Sequence, residues 1–399
     1  MITLGYAALQ PDRSGASHGD LRWPGQEDQR SPLLHGRTGQ CDGDELTAAG
    51  DLRTETPPSA DWLAPELWPE ADGAAGVATW HHQSRQLTAV AVWSERRPGL
   101  GEDAEPTFMY HDASRHGLLG VYDGLGGAGA RHAGPAYDGR QLTHAFVASR
   151  LAYLTVQSWF ADRVDHPEGT GSLRNRLAGA RSPGRSRPKV VGTLPRAFPT
   201  TVALMEYRLA DDGVDVTAYW AGDSRCYLMT PAVGLQQVSV DDTSVRDPLI
   251  ADQPMTNLAS ATGDFTINEY PLSRIPLPCV LVCATDGFFG YVETPALFEY
   301  VLLDELRNSH GSGHWARRLA SRVVSYTGGD ASLVLLALGF GSFQRLRDSL
   351  SERHAELYEQ HYAPLRGATT RDQLVERRRQ SWERYRRPYM HYVDRYGTR

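Results

Sequence analysis

Aspartates follow three apolar runs of the sequence, at positions where a strand would end. Asp123 follows GVY, Asp286 follows VLVCAT, and Asp223 lies between two strand-like runs in WAGDSRCYL. A strand that ends in Asp-Gly delivers a carboxylate to the end of a sheet, although a single Asp-Gly can equally form a hairpin turn. Three such carboxylates, with strands between them, favour a shared site over three independent turns.

Three more acidic residues could join this set. Glu102 and Asp103 lie in the loop before the strand that leads to Asp123, and Asp330 opens the last strand, ASLVLLAL. Clustered carboxylates repel one another and are costly to bury unless a cation compensates them. Oxygen ligands without a His/Cys cluster indicate Mg²⁺ or Mn²⁺ rather than zinc. Two such ions can activate a water between them and hold a phosphoryl oxygen, which is the chemistry of two-metal phosphate hydrolysis.

The elements that must position these carboxylates are mostly strands. Alternating or continuous apolar runs predict strands over 86–93, 118–122, 200–207, 214–220, 225–230, 234–240, 280–285 and 332–338. Apolar residues at helical spacing predict helices over 141–164, 295–307 and 315–326. Short turns between consecutive strands favour antiparallel pairing, so the pattern predicts two sheets flanked by helices.

The composition is typical of a large globular protein. The 399 residues are 41% hydrophobic, and the net charge of −7 argues against nucleic-acid binding by the whole surface. Four cysteines, three of them in apolar strand-like runs, fit a reduced cytosolic protein. A signal peptide is absent, and no apolar run approaches the roughly 20 residues of a membrane helix. We therefore expect a cytoplasmic protein without membrane contact.

Two segments differ from the central part of the sequence. Residues 1–75 carry 13 acidic residues against 5 Arg and predict a loosely ordered acidic arm, with a short docked piece around 62–68. Residues 172–196 are rich in Gly, Arg, Pro and Ser and predict an exposed basic loop. These boundaries and the C-terminal composition divide the chain into 1–75, 76–342 and 343–399.

The C-terminal extension, residues 343–399, is rich in Arg and Tyr. Aromatic residues recur there at helical spacing: Trp382, Tyr385, Tyr389, Tyr392 and Tyr396. We favour a helix that packs this aromatic stripe on the domain. The alternatives are a docking element for a protein partner and, less favoured, a helix that contacts nucleic acid.

Six motifs in the same order resemble those of the metal-dependent Ser/Thr protein phosphatases of the PP2C (PPM) family, in its bacterial form. The resemblance spans about residues 77–340. The motifs are GEDA (101–104), GVYDGLGG (120–127), FPTTVAL (198–204), WAGDSRCYL (220–228), VCATDGFFG (282–290) and GGDASLVLLAL (328–338). The resemblance implies an α+β fold, in which helices flank both outer faces of a central antiparallel β-sandwich.

The resemblance also implies a site and a reaction. The family hydrolyses phosphoserine and phosphothreonine in proteins with a water that bridges two Mn²⁺ or Mg²⁺ ions, and a weaker third ion binds in bacterial members. Asp123 would bridge both ions, the Gly124 carbonyl would serve the second ion, and Asp286 would hold the first. Glu102 and Asp103 would complete the second site, and Asp223 would help to hold the third ion.

The sequence departs from the family pattern at two places. Gly329 stands where the family has a metal-ligating Asp, so that either a shifted turn makes Asp330 the ligand or the first ion loses one. The family's phosphate-binding Arg position is Pro98, and Arg97 or Arg96 would have to replace it. An active phosphatase acting on phosphoproteins and a pseudophosphatase that only binds are therefore alternatives. A third hypothesis, compatible with either, is an interaction protein whose two extensions carry the domain into an assembly.

Overall fold

The computed structural model describes residues 62–63, 76–136, 139–166, 171–180, 198–244, 254–260 and 263–397. Most of the predicted acidic arm and residues 181–196 of the predicted basic loop lie outside these residues. None of the described helices is long and apolar enough to cross a membrane.

The described strands form two six-stranded antiparallel sheets and a small two-stranded ribbon. The strands are β1 (Trp62–Leu63), β2 (Val77–Gln83), β3 (Leu87–Ser94), β4 (Thr107–His111), β5 (His116–Val121), β6 (His132–Pro135), β7 (Gln141–Thr143), β8 (Val202–Leu209), β9 (Val214–Ala221), β10 (Arg225–Thr230), β11 (Gly234–Gln237), β12 (Asn268–Ile275), β13 (Cys279–Ala284) and β14 (Ala331–Leu338). The first sheet has the order β1-β4-β5-β8-β9-β12, the second has the order β11-β10-β13-β14-β3-β2, and β6 pairs with β7.

Helices cover the outer faces of both sheets. They are α1 (Gly126–Gly129), α2 (His144–Asp165), α3 (Leu173–Gly179), α4 (Asp286–Phe289), α5 (Pro295–Arg307), α6 (Ser312–Val324), α7 (Phe343–Ser349), α8 (Ser351–Leu357), α9 (Ala363–Arg366), α10 (Arg371–Tyr389) and α11 (His391–Tyr396), with a π-helical turn at Tyr358–Tyr362. Helix α2 contacts β4 and β5 of the first sheet, whereas α6 contacts β2 and β3 and α10 contacts β11 of the second.

The alternation of side chains along each strand builds two apolar layers. In β5, Leu119 and Val121 lie in the core between the two sheets. Leu118, from the same strand, packs in a second cluster with Val156 and Trp159 of α2. Because successive side chains of a strand point to opposite faces, one apolar run fills both layers. The predicted α+β fold with a central antiparallel β-sandwich flanked by helices is confirmed.

Most predicted elements are confirmed, with three kinds of difference. The predicted helix over 141–164 begins with the strand β7, and β2, β4 and β12 were not predicted. The predicted basic loop is wrong at its start, because residues 173–179 form α3. Ser172 caps this helix by accepting a hydrogen bond from Asn175 N (3.3 Å), and Leu173 and Leu177 are buried. A cap followed by apolar residues four positions apart is a helix signal that the surrounding Arg and Gly residues concealed.

The aromatic stripe of the C-terminal extension packs on the domain, which confirms the favoured prediction. Tyr385 and Tyr389 are 2% and 1% exposed, and Gln236 Nε2 of β11 donates a hydrogen bond to the Pro388 carbonyl (3.0 Å). Tyr396 of α11 packs edge-on against Trp220 of β9, with 5.1 Å between the ring centroids. The stripe therefore belongs to the apolar packing of the unit Ser59–Arg399. The division of the chain at residues 75 and 342 stays a prediction.

A buried ion pair joins the C-terminal extension to α5. The Glu299 side chain is 0% exposed, and Arg353 donates to both of its oxygens, with Nε–Oε1 at 3.0 Å and Nη2–Oε2 at 2.8 Å. Tyr385 donates to the same carboxylate at 2.6 Å. We predict that Arg353→Ala lowers the free energy of unfolding by about 3 kcal/mol, because it leaves a buried carboxylate without its cation. Urea unfolding followed by tryptophan fluorescence measures the change.

Arg379→Ala is the matched control for this experiment. Arg379 pairs with Glu376 and Glu383 on the exposed side of α10. Exposed pairs contribute little to stability, so this variant should unfold like the wild type. Equal effects of the two substitutions would contradict the prediction.

Candidate active site

The acidic residues lie where strands of both sheets end, at one end of the sandwich. In the second sheet, Ala284 at the end of β13 pairs with Arg225, the first residue of β10, and β14 begins beside them. In the first sheet, Val202 at the start of β8 pairs with Ala221 at the end of β9. The turn that contains Asp223 joins β9 to β10, and so brings the two sets of strand ends together.

Two threonines hold the backbone of Asp123 after β5. Thr201 donates its N–H to the Asp123 carbonyl (2.7 Å) and accepts the Asp123 N–H on Oγ1 (3.1 Å), and Thr200 Oγ1 donates to the same carbonyl (2.8 Å). Gly124 follows in a crowded place, where a Cβ would lie 2.5 Å from the carbonyl oxygen of Glu102 and 2.6 Å from that of Ala145. A side chain at Gly124 would therefore push apart the loops that carry Glu102 and Asp123.

Asp103 is the most deeply buried of the acidic side chains, at 2% exposure. Thr285 Oγ1, from the residue before Asp286, donates to Asp103 Oδ2 at 2.9 Å. The same Oγ1 accepts the N–H of Ser332 at 2.9 Å. One hydroxyl thus ties the loop before β4 to the end of β13 and to the start of β14.

The turns that carry Asp286 and Asp330 touch each other at Gly287. A Cβ at Gly287 would lie 2.7 Å from the Ala331 Cβ and would also collide with the Asp330 carbonyl. The carboxylate of Asp330 lies against the loop before β4, where Oδ1 accepts the N–H of Arg96 (2.7 Å) and Oδ2 accepts the N–H of Glu102 (2.6 Å). Asp330 therefore lies on the same side as the other acidic residues, with a backbone amide at each oxygen.

Glu102 lies at the edge of the cluster and is only partly buried. Its Oε1 accepts a hydrogen bond from Thr143 Oγ1 at 2.7 Å. Burial and the charge of Asp330 raise the pKa of Glu102, although the Thr143 hydrogen bond and the charges of Arg150 and Arg97 act in the opposite direction. Arg97, exposed on the rim, is thus the neighbour of Glu102 that the sequence identified, and Arg150 is one that it did not.

The carboxylates of the cluster raise one another's pKa. Burial raises the pKa of Asp123, and the charges of Asp103, Asp286 and Asp223 raise it further. Burial and the charges of Asp330 and Asp286 raise the pKa of Asp103 in the same way. Burial, Asp286 and another carboxylate raise the pKa of Asp223 to about 7. Like charges at this separation disfavour ionisation unless a cation neutralises them.

The donor set fits a hard divalent cation by its chemistry. The residues that lie together supply carboxylate and carbonyl oxygens, which are the ligands that Mg²⁺ and Mn²⁺ prefer. Asp223 Oδ1 is buried and has no hydrogen-bond partner among the described residues. Within the same residues, however, no three acidic, His or Cys side chains already surround one point as ligands of an ion would. A bound ion would therefore require rotation of at least some of these carboxylates.

Sequence reasoning missed three residues that support the cluster. Arg225 forms a bidentate ion pair with Asp241, and the charge of Asp241 also raises the pKa of Asp223. Thr285 holds Asp103, as described above, and Arg150 lies 3.7 Å from Glu95 behind the loop. Asp241 could have been found, because it follows the predicted strand 234–240 directly, just as the other acidic residues follow theirs. The partners of Thr285 and Arg150 are distant in sequence and leave no local signal.

Removal of one carboxylate should relieve this repulsion. We predict that Asp123→Asn raises the melting temperature of the metal-free protein by about 2 °C, which corresponds to about 1 kcal/mol for a domain of this size. The physical reason is that an amide keeps the shape of the side chain without its charge. Thermal unfolding in excess EDTA at neutral pH measures the shift. Asp211→Asn is the control, since the Asp211 side chain is 98% exposed, and a lower melting temperature for Asp123→Asn would contradict the prediction.

Comparisons with known proteins agree in kind with the motifs. No family model and no curated protein matches the sequence. Among solved structures, PppA, a key regulatory component of the T6SS in Pseudomonas aeruginosa, is 18% identical over 66% of this chain and 97% of that one, with a TM-score of 0.42. The serine/threonine phosphatase PstP/Ppp of Mycobacterium tuberculosis is 19% identical over 63% and 99%, with a TM-score of 0.41. The PPM Ser-Thr phosphatase MsPP of Mycobacterium smegmatis is 16% identical over 67% and 100%, with a TM-score of 0.40. The solved structures that are similar to this chain thus include bacterial Ser/Thr phosphatases, one of them named for the PPM family that the motifs resemble.

Proposed function

We propose that this protein hydrolyses phosphoserine and phosphothreonine in proteins with the help of Mn²⁺ or Mg²⁺. The observation that carries the proposal is the convergence of Asp103, Asp123, Asp223 and Asp286 at one end of the sandwich, where each charge raises the pKa of another. A fold that holds carboxylates against their mutual repulsion loses stability by doing so, and a binding site for cations accounts for that loss.

We propose the following ligand set. The residues that would hold the ions are Asp123, Asp286, Asp103, Glu102, Asp223, Asp330 and the carbonyl of Gly124. Bound ions would supply an activated water and would neutralise charge on the phosphoryl oxygens. The residues of the chain itself orient the site: Thr200 and Thr201 hold the Asp123 backbone, and Thr285 holds Asp103.

Arg97 is the residue that we propose to bind the phosphate of the substrate. It is exposed on the rim, and its charge acts on Glu102. Arg150 is also close to Glu102, but its guanidinium lies 3.5 Å over the ring of Phe146 and 3.7 Å from Glu95. The charge of Arg150 therefore already has partners, whereas Arg97 can turn towards a phosphate dianion and form charge-assisted hydrogen bonds.

Hydrolysis assays test the proposed function. We expect the wild-type protein to hydrolyse p-nitrophenyl phosphate and a phosphothreonine peptide with Mn²⁺, and to lose this activity in EDTA. Asp123→Asn should lower kcat/KM by about 100-fold or more, the scale of losing one group that stabilises charge in the transition state. Asp211→Asn is the control and should keep full activity. A wild-type rate no higher than that of Asp123→Asn would reject the proposal.

A phosphatase-like domain that binds without turnover is the second candidate function. The observation that favours it is that both oxygens of Asp330 accept backbone amides, which engages the one acidic residue able to replace the family's missing ligand. Such a domain would bind a phosphopeptide or Mn²⁺ and release no phosphate.

Asp330→Asn tests the role of this residue directly. If Asp330 contributes its charge to the metal site, we predict that the substitution weakens Mn²⁺ binding about tenfold, as measured by isothermal titration calorimetry. An Asn keeps one acceptor for the loop amides, so the loop should stay in place. Unchanged Mn²⁺ affinity would show that Asp330 only holds the loop, and together with absent turnover in the wild type would favour the binding module.

A further inference from the structure

Hydrogen bonds connect the C-terminal helix α10 to the acidic cluster. Tyr389, at the end of α10, donates its hydroxyl to Oε1 of Gln237 at 2.9 Å. Gln237 Nε2 in turn donates to Asp241 Oδ1 at 3.0 Å and to the Ser239 carbonyl at 2.9 Å. Both ends of the Gln237 amide are therefore engaged, and Gln237 is 4% exposed.

The next link is the ion pair between Asp241 and Arg225. Arg225 donates to both oxygens of Asp241, with Nη2–Oδ2 at 2.6 Å and Nε–Oδ1 at 3.0 Å, and its side chain is 8% exposed. Its guanidinium lies 4.1 Å over the ring of Phe289. Phe289 belongs to α4, the four-residue helix that begins at Asp286. The pair thus contacts the helix that carries one acidic residue of the site.

The same pair lies close to a second acidic residue of the site. Arg225 comes two positions after Asp223, at the start of β10, and the negative charge of Asp241 acts on Asp223. A displacement of Asp241 would change both the position of Arg225 and the field at Asp223. Tyr389, Gln237, Asp241 and Arg225 are called the Tyr389 network below.

We propose, on the basis of the proposed function, that Tyr389 is a positioning residue for the metal site and that it acts through Gln237, Asp241 and Arg225 on Asp223 and Asp286. The C-terminal extension is then part of the phosphatase machinery, although none of its residues belongs to the proposed ligand set. The inference deepens the proposed function by naming what holds two of the ligands in place.

The orientation of the Gln237 amide explains how one hydroxyl can matter. With the Tyr389 hydroxyl present, Oε1 has a donor and Nε2 points at Asp241. Without it, Oε1 is buried without that donor, which is unfavourable, and rotation of the amide becomes the way to regain a partner. Rotation would turn the amide oxygen towards the Asp241 carboxylate, and the repulsion would move the Asp241–Arg225 pair.

Tyr385 offers a matched control on the same helix. It lies one turn before Tyr389 and is likewise buried, and its hydroxyl donates to Glu299 Oε2 at 2.6 Å. Glu299 belongs to α5 and is also bound by Arg353, so its hydrogen bonds lie outside the Tyr389 network. Tyr385→Phe and Tyr389→Phe therefore remove the same group from the same helix, and only the second cuts the network.

The test compares the two variants with the wild-type full chain. Mn²⁺ affinity is measured by isothermal titration calorimetry, and kcat/KM for p-nitrophenyl phosphate is measured at limiting and at saturating Mn²⁺. We expect Tyr389→Phe to weaken Mn²⁺ binding by roughly tenfold, the lower end of the range for outer-shell partners of a metal ligand. Its activity should fall at limiting Mn²⁺ and recover at saturation. Tyr385→Phe should bind Mn²⁺ like the wild type.

Several outcomes would overturn the inference. If Tyr389→Phe binds Mn²⁺ like the wild type while wild-type hydrolysis is intact, the positioning role is wrong and the proposed function stands. Equal losses of Mn²⁺ affinity in both Tyr variants, with equal falls in melting temperature, would indicate general loosening and would also overturn it. A wild-type protein that binds no Mn²⁺ would reject the proposed function and the inference together. Gln237→Met, which cuts the network at its second member, should reproduce the effect of Tyr389→Phe even if the latter folds poorly.

Discussion

The structure depends on one constraint, which is that several like-charged side chains must be held together at one end of a β-sandwich. Burial and mutual charge raise the pKa of Asp103, Asp123 and Asp223. Such an arrangement opposes folding, so the surrounding structure has to supply the stability that the cluster removes. The two sheets do so, since the strands that end at the cluster, β5 and β13, are buried along their whole length.

The groups that restrain the cluster are mostly neutral, and this is consistent with a site reserved for cations. Thr200, Thr201 and Thr285 fix backbone and carboxylate positions with hydroxyls. The one fully engaged cation close by, Arg225, is bound bidentately by Asp241, a carboxylate outside the proposed ligand set. An Arg placed directly among the ligands would neutralise them and compete with a metal ion, whereas an Arg already paired with Asp241 can support the site without doing so.

The sequence predicted the features that are written locally. Strands β5 and β13 are continuous apolar runs that end in an Asp, and the period of their side chains and the turn residues suffice to place Asp123 and Asp286 at strand ends. The environment of Asp330 could not be predicted, because its partners are backbone amides of a loop 234 and 228 positions earlier in the chain. Two consecutive glycines before it also left the register of the turn open. The Tyr389 network was hidden for the same reason, since Tyr389 meets Gln237 across 152 positions.

The C-terminal extension shows why composition alone misleads about such a segment. Its Arg content suggested a surface for partners, yet its aromatic residues form the layer that covers β11 and α5. Exposed arginines such as Arg379 pair with glutamates of the same helix, whereas the buried Arg353 neutralises Glu299 inside the domain. The extension therefore contributes apolar burial and a buried ion pair to the sandwich. Because the same helix ends at Tyr389, packing of the extension and support of the site are one structural event, and a change that loosens α10 would reach the carboxylates through Gln237.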